Sequence, residues 1–219
     1  NGTVSLLGTA TTQAGGANTW CSTSTGAAGG YAVIVSDNGS TGVVNGLGNS
    51  GVNIHKLLDN GTTTNTVGTA ALPSVTSGHT DLEKCALTHL GGTFYLALGD
   101  NTGGQDNVSV WKSADAITWS QIGADWAATA TVHSVAIGHT GATASDDGVW
   151  VAVDDATNVE LWHYEDVTAG GTTYVWRDVG GALIASAGTK VSIATDGVSI
   201  IAVSAIVSTD TNVQFWYNQ

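Results

Sequence analysis

Acidic and amide side chains gather in four short stretches of this chain: SDNGS at 36–40, GDNTGGQDN at 99–107, DDATN at 154–158 and STDTN at 208–212. Within them Asp37, Asp100, Asp106, Asp154, Asp155 and Asp210 carry the hard oxygen ligands that calcium requires, roughly six to eight per ion. If folding brings these stretches to one rim, they form an acidic ring able to hold Ca2+, the one cofactor that the residue types suggest. The same residues also make tight turns, because Asp and Asn side chains bond to backbone N–H groups close by. Neither an EF-hand spacing nor a glycine–aspartate nonapeptide repeat is present, so turn formation is the simpler account.

A second constellation suits sugar recognition. Trp126, in the connection ADWAATA, is expected to be an exposed aromatic platform, with Asp100 and Asn101 as hydrogen-bonding partners and His55 as a further candidate ligand contact. Glycoside hydrolysis needs two acids at a defined separation. Glu83, Glu160 and Glu165 are available, but nothing in the spacing singles out a pair. The histidines, among them His133 on an expected inner strand, form no HExxH or other zinc spacing.

The elements that must position these groups come from a repeat. NVSVW at 107–111 returns as NVELW at 158–162 and NVQFW at 212–216, and in altered form as GVNIH at 51–55. Segments on either side align as well. Upstream lie GYAVIV at 30–35, TFYLAL at 93–98, GVWVAV at 148–153 and SIIAV at 199–203, each preceded by a further short strand pattern. Downstream lie TNTVGTA at 64–70, TWSQIGA at 118–124 and VWRDVGG at 175–181. Each unit reads as four short strands joined by Gly, Asp and Asn turns.

The last unit lacks its fourth strand, and VSLLGTA at 4–10 aligns with TNTVGTA without a gap. A first strand that completes the last repeat closes a ring and hides both edges. The expected fold is therefore all-β: one four-bladed β-propeller over residues 1–219, with four-stranded antiparallel blades near 15–70, 71–124, 125–181 and 182–219 plus 1–10. Blade faces are buried against their neighbours, so Trp111, Trp162 and Trp216 are expected to pack rather than to bind ligand. Cys21 and Cys85 fall on the innermost strands of consecutive blades, where a disulfide is reasonable; two buried thiols are the alternative.

SADAITW at 113–119 resembles the Asp-box turn of sialidase-type propellers through Ser113, Asp115, Thr118 and Trp119. Ile117 stands near the expected glycine, and the turn is one residue short. Asp166 with Trp176, and Asp59, could be stretched or decayed copies. The resemblance implies structural roles only: Asp115 braces the turn and Trp119 packs between blades. Sialidase chemistry itself is disfavoured, because several arginines grip the substrate carboxylate and this chain has only Arg177.

Composition narrows the function further. Eighteen acidic residues against five basic ones leave a net charge of −13, the opposite of what displaces counterions from nucleic acid or attracts a protein to anionic membranes. No apolar run is long enough to insert into a bilayer as a helix. Charged residues are only 11%, glycines number 30 and Met is absent, so Asn1 is expected to result from processing, with export or display on a virion. The expected function is a non-enzymatic extracellular or virion surface module, a filament subunit or an attachment domain. Its partners would be copies of itself, other surface proteins or glycans. A lectin is the alternative, and a glycoside hydrolase a third.

Overall fold

The computed structural model describes residues 20–24, 31–37, 52–58, 66–67, 82–100, 107–128, 131–141, 146–155, 157–166, 174–184, 188–199, 201–207 and 213–217. These are all-β, in four antiparallel sheets that follow one another along the chain. The first contains β1 (Trp20–Ser24), β2 (Tyr31–Asp37), β3 (Val52–Leu58) and β4 (Thr66–Val67). The second contains β5 (Leu82–Leu90), β6 (Thr93–Asp100), β7 (Asn107–Ser113) and β8 (Ser120–Gln121), with β9 (Trp126–Ala127) also paired to β7. The third contains β10 (Val132–His139), β11 (Val149–Asp155), β12 (Val159–Asp166) and β13 (Tyr174–Ile184). The fourth contains β14 (Gly188–Thr195), β15 (Ile201–Val207) and β16 (Val213–Tyr217).

Local chemistry accounts for these elements. Alternating β-branched and small residues build strands whose two faces carry different side chains. The turn from β5 to β6 uses Gly91 and Gly92 at φ 57° and 86°, the two left-handed positions of a tight hairpin. The repeated pentapeptide lies on the third strand of every sheet. Its final residue has one place in the register: His55 opposes Ile34, Trp111 opposes Leu96, Trp162 opposes Val151 and Trp216 opposes Val203.

Sheets meet through their first strands, β1 with β5, β5 with β10 and β10 with β14. The two described cores follow one rule. Between the second and third sheets, Val108 and Val110 of β7 share a cluster with Val149, Val151 and Tyr164, and with the partly buried Trp162. Between the third and fourth, Val159 and Leu161 of β12 share a cluster with Val203, Ala205 and Trp216. The apolar pair of one pentapeptide thus packs on the sheet that carries the Trp of the next. Close approach of the sheets depends on glycine: a Cβ at Gly138 of β10 would lie 2.5 Å from Ile193 Cγ2 of β14.

Two strands differ from the pattern in the sequence. TWSQIGA contributes Ser120 and Gln121 to β8, with Ile122 N–H donating to Val110 O at 2.9 Å, because residues 114–118 are taken up by a turn. The ADWAATA connection contains β9, where Trp126 pairs opposite Val108.

Candidate functional site

The Asp-box-like turn is built by its two polar side chains. Ser113 Oγ donates to Asp115 Oδ1 at 2.9 Å and accepts the N–H of Ala116 at 2.9 Å. Asp115 Oδ1 accepts the N–H groups of Ile117 and Thr118, both at 2.7 Å. Burial opposes ionisation of Asp115, but the N–H groups of Thr118 and Ile117 and the hydroxyls of Ser113 and Thr118 outweigh it and hold its pKa below the ordinary value. The left-handed residue is Ala116, at φ 58°, one position before the Ile117 that stands near the expected glycine of the motif. Trp119 is buried. Asp166 ends β12 opposite Tyr174, Trp176 lies on β13, and Asp59 falls outside the described residues.

Beside this turn is a polar cleft of about 230 Å³ between the second and third sheets. Thr93, Tyr95, Lys112, Ser113, Thr118 and Asp146 line it, and a Lys112–Asp146 ion pair ties β7 to the 3-10 turn Asp146–Gly148. Hydroxyls with one paired cation and anion suit a small polyhydroxylated ligand better than an apolar one. Trp126 is not among the described residues that line this cleft.

Trp126 is the main correction. It is half-buried rather than an open platform, and its ring lies 4.9 Å from Trp162 and 4.8 Å from Trp176. Tyr164 extends this aromatic group at 5.0 Å from Trp176. Pairing of β9 with β7 turns the indole into the junction between sheets, and sequence alone does not reveal so short a strand. His55 lies on β3 opposite Ile34 and Val67, Asp100 ends β6 opposite Leu82, and Asn101 falls outside the described residues.

The acidic stretches divide in the same way. Asp154 and Asp155 end β11 and are buried. Asp155 Oδ1 accepts from Thr157 N at 2.7 Å, Thr157 Oγ1 at 2.8 Å and Asn158 N at 2.6 Å, which is turn chemistry of the kind the composition suggested. Asp37 and Asp100 are the last residues of β2 and β6. Asp106 and Asp210 fall outside the described residues. Among the described residues no three His, Cys, Asp or Glu side chains gather in a way that could hold a metal ion.

Cys21 of β1 and Cys85 of β5 form a disulfide, with Cα atoms 5.8 Å apart, joining the first two sheets. Arg177 is engaged with Glu165 at 2.9 Å. The Arg177 hydrogen bond, followed in effect by opposing partial burial, leaves the Glu165 carboxyl below its usual range.

Two further devices escaped the sequence. The Trp111 indole donates to Ser109 Oγ at 3.0 Å, and the Trp162 indole to Glu160 Oε2 at 2.9 Å. In these two copies the variable third residue, Ser109 or Glu160, is therefore the acceptor for its own Trp, a role visible beforehand only in that both side chains can accept a hydrogen bond. Trp150 stacks on His163 at 3.9 Å and donates to Thr140 Oγ1 at 2.9 Å. No protein-family model matches the chain, and neither does any curated protein sequence.

Proposed function

We propose that the chain is a non-enzymatic structural or attachment module, exported or carried on a virion, built as a four-bladed β-propeller. In this reading the four sheets are the blades, and Val4–Ala10 completes the last one beside β16. Two relations support it: the sheets succeed one another through their first strands, and both described junctions use the same packing rule. The Cys21–Cys85 disulfide suits an oxidising compartment.

The observation that carries the structural role is the outer face of the fourth sheet. Ile206, Val213, Phe215 and Tyr217 lie on it, and Phe215 is 74% exposed. Equivalent faces of the second and third sheets are covered by a neighbour, so this apolar face takes either the first sheet of the same chain, which closes the ring, or a second copy, for which it is an assembly surface. Native mass measurement and electron microscopy of the protein from its source test this. Ordered assemblies or virion association are expected; a strictly monomeric protein occupied by glycan would refute the assignment.

One observation favours a lectin instead: the hydroxyl-lined cleft beside the Asp115 turn. In that case glycan-array binding is lost on Lys112→Ala and kept on Trp126→Phe. An empty array removes the reading.

A further inference from the structure

The cleft beside the Asp115 turn lies on one cross-strand row of the second sheet. Tyr95 opposes Lys112, and Lys112 opposes Ser120, so the three side chains share a face. The same row in the third sheet reads Trp150, His163 and Arg177. There it is filled. Trp150 stacks on His163 with ring centroids 3.9 Å apart, and a Glu165 carboxylate lies 3.6 Å from His163 and 2.9 Å from Arg177. In the second sheet Ser120 stands where the third has Arg177. Ala114, two residues after Lys112, stands where it has Glu165, two residues after His163. These smaller side chains leave the row open, and Asp146 enters it from the 3-10 turn between β10 and β11.

Charge and size limit what the opening can take. Lys112 and Asp146 are its charged lining residues and pair with each other, so no excess charge awaits an anion or a cation. Both side chains remain partly exposed, at 37% and 26%, within reach of a ligand. Together they present a donor and an acceptor side by side. Two adjacent hydroxyls of a sugar ring match this pair: one accepts from the ammonium while the other donates to the carboxylate. Thr93, Thr118 and Ser120 add hydroxyls around it. A volume of about 230 Å³ is below the roughly 300 Å³ where pockets for drug-sized ligands begin, so it suits one ring rather than a chain.

We propose that this cleft binds a single uncharged sugar ring through a pair of adjacent hydroxyls, with Lys112 as donor and Asp146 as acceptor. The proposal rests on reading the cleft as a carbohydrate site, and it names the class of sugar: neutral hexoses rather than sialic or uronic acids. An acidic sugar would bring its carboxylate to a lysine already neutralised by Asp146, in a chain of net charge −13. The third sheet does not repeat the site, because its own side chains occupy the equivalent row. A ligand held by both Lys112 of β7 and Asp146 also ties the second sheet to the third.

Calorimetric titration of the full chain with methyl glycosides of glucose, galactose and mannose tests this, beside glucuronic and N-acetylneuraminic acids. At least one neutral glycoside is expected to bind. Its analogues lacking either hydroxyl of one adjacent pair should bind about 10-fold more weakly or worse, as expected for a lost hydrogen bond to a charged group. The double variant Ala114→Glu/Ser120→Arg copies the filled row of the third sheet, and should abolish binding while keeping the wild-type unfolding midpoint. Binding of acidic sugars alone, lost in the double variant, overturns the proposal and leaves the cleft a carbohydrate site. Equal affinity for every deoxy analogue does the same, whether or not the double variant folds. No binding of any glycoside, or binding that the folded double variant keeps, overturns the proposal and the carbohydrate reading of the cleft together.

Discussion

Trp126 and Trp162, from neighbouring sheets, meet with ring centroids 4.9 Å apart. The contact makes Trp126 a keystone of the junction between the second and third sheets, alongside Trp176. Trp126→Ala is expected to destabilise the fold by about 3 kcal/mol, from lost aromatic burial and the cavity left behind. Trp126 Nε1 is buried with no hydrogen-bond acceptor among the described residues, so Trp126→Phe should cost clearly less. Urea unfolding midpoints check both. Equal losses for Ala and Phe would show that the ring contacts are not the source.

The indole of Trp111 is 1% exposed and spends its N–H on Ser109. Ser109→Ala leaves that donor buried and unmet, at a cost of about 1–3 kcal/mol. Ser109→Thr keeps an acceptor and should retain more of the stability. In the third sheet Glu160→Gln, which also keeps an acceptor, should likewise be milder than Glu160→Leu. Calorimetric midpoints ranking Ala with Thr, or Leu with Gln, would contradict the shared device.

Asp115 holds two backbone N–H groups at 2.7 Å, and its pKa is depressed in the folded protein. A depressed carboxylate contributes stability above its unfolded pKa, near 3.8, and loses it as pH falls through the lower folded value. Asp115→Ala should therefore cost about 1–2 kcal/mol near neutrality, by analogy with a lost helix cap. The gap between wild type and variant should shrink as pH drops to about 3. A gap that widens in acid has the wrong sign for this explanation.

The Cys21–Cys85 disulfide closes a sequence separation of 64 residues. Chain-entropy reasoning gives about 4 kcal/mol for a loop of that length, mainly by restricting the unfolded chain. Reduction of wild type, or a Cys21→Ser/Cys85→Ser variant, should lower stability by that order while leaving the β circular dichroism signal intact at low temperature. A reduced protein with an unchanged unfolding midpoint would show that the bridge adds nothing.

Strand identity was legible because its causes are local. Alternation of side chains, β-branched residues and Gly, Asp or Asn turns act within a few positions, and all four copies of the pentapeptide lie on third strands. The cysteine pairing was legible as far as the repeat placed both residues on first strands, yet free thiols stayed open until β1 and β5 were seen side by side. Trp126 was misread because its fate depends on a two-residue strand pairing with β7, a contact that no local pattern announces. Asp155 could serve a metal or a turn with the same side chain, and only the folded chain shows its Oδ1 bonded to Thr157 and Asn158 in the turn.

By itself, then, the amino-acid order determined an all-β chain of repeated antiparallel units, its acidity and the structural use of the Asp115 turn. Only the tertiary structure decided which faces are covered: Val108 and Val110 by the third sheet, Val159 and Leu161 by the fourth, and Phe215 by nothing within the described residues. The physical reason is that a strand's pattern says which side is apolar, whereas burial belongs to whatever surface comes to lie against it.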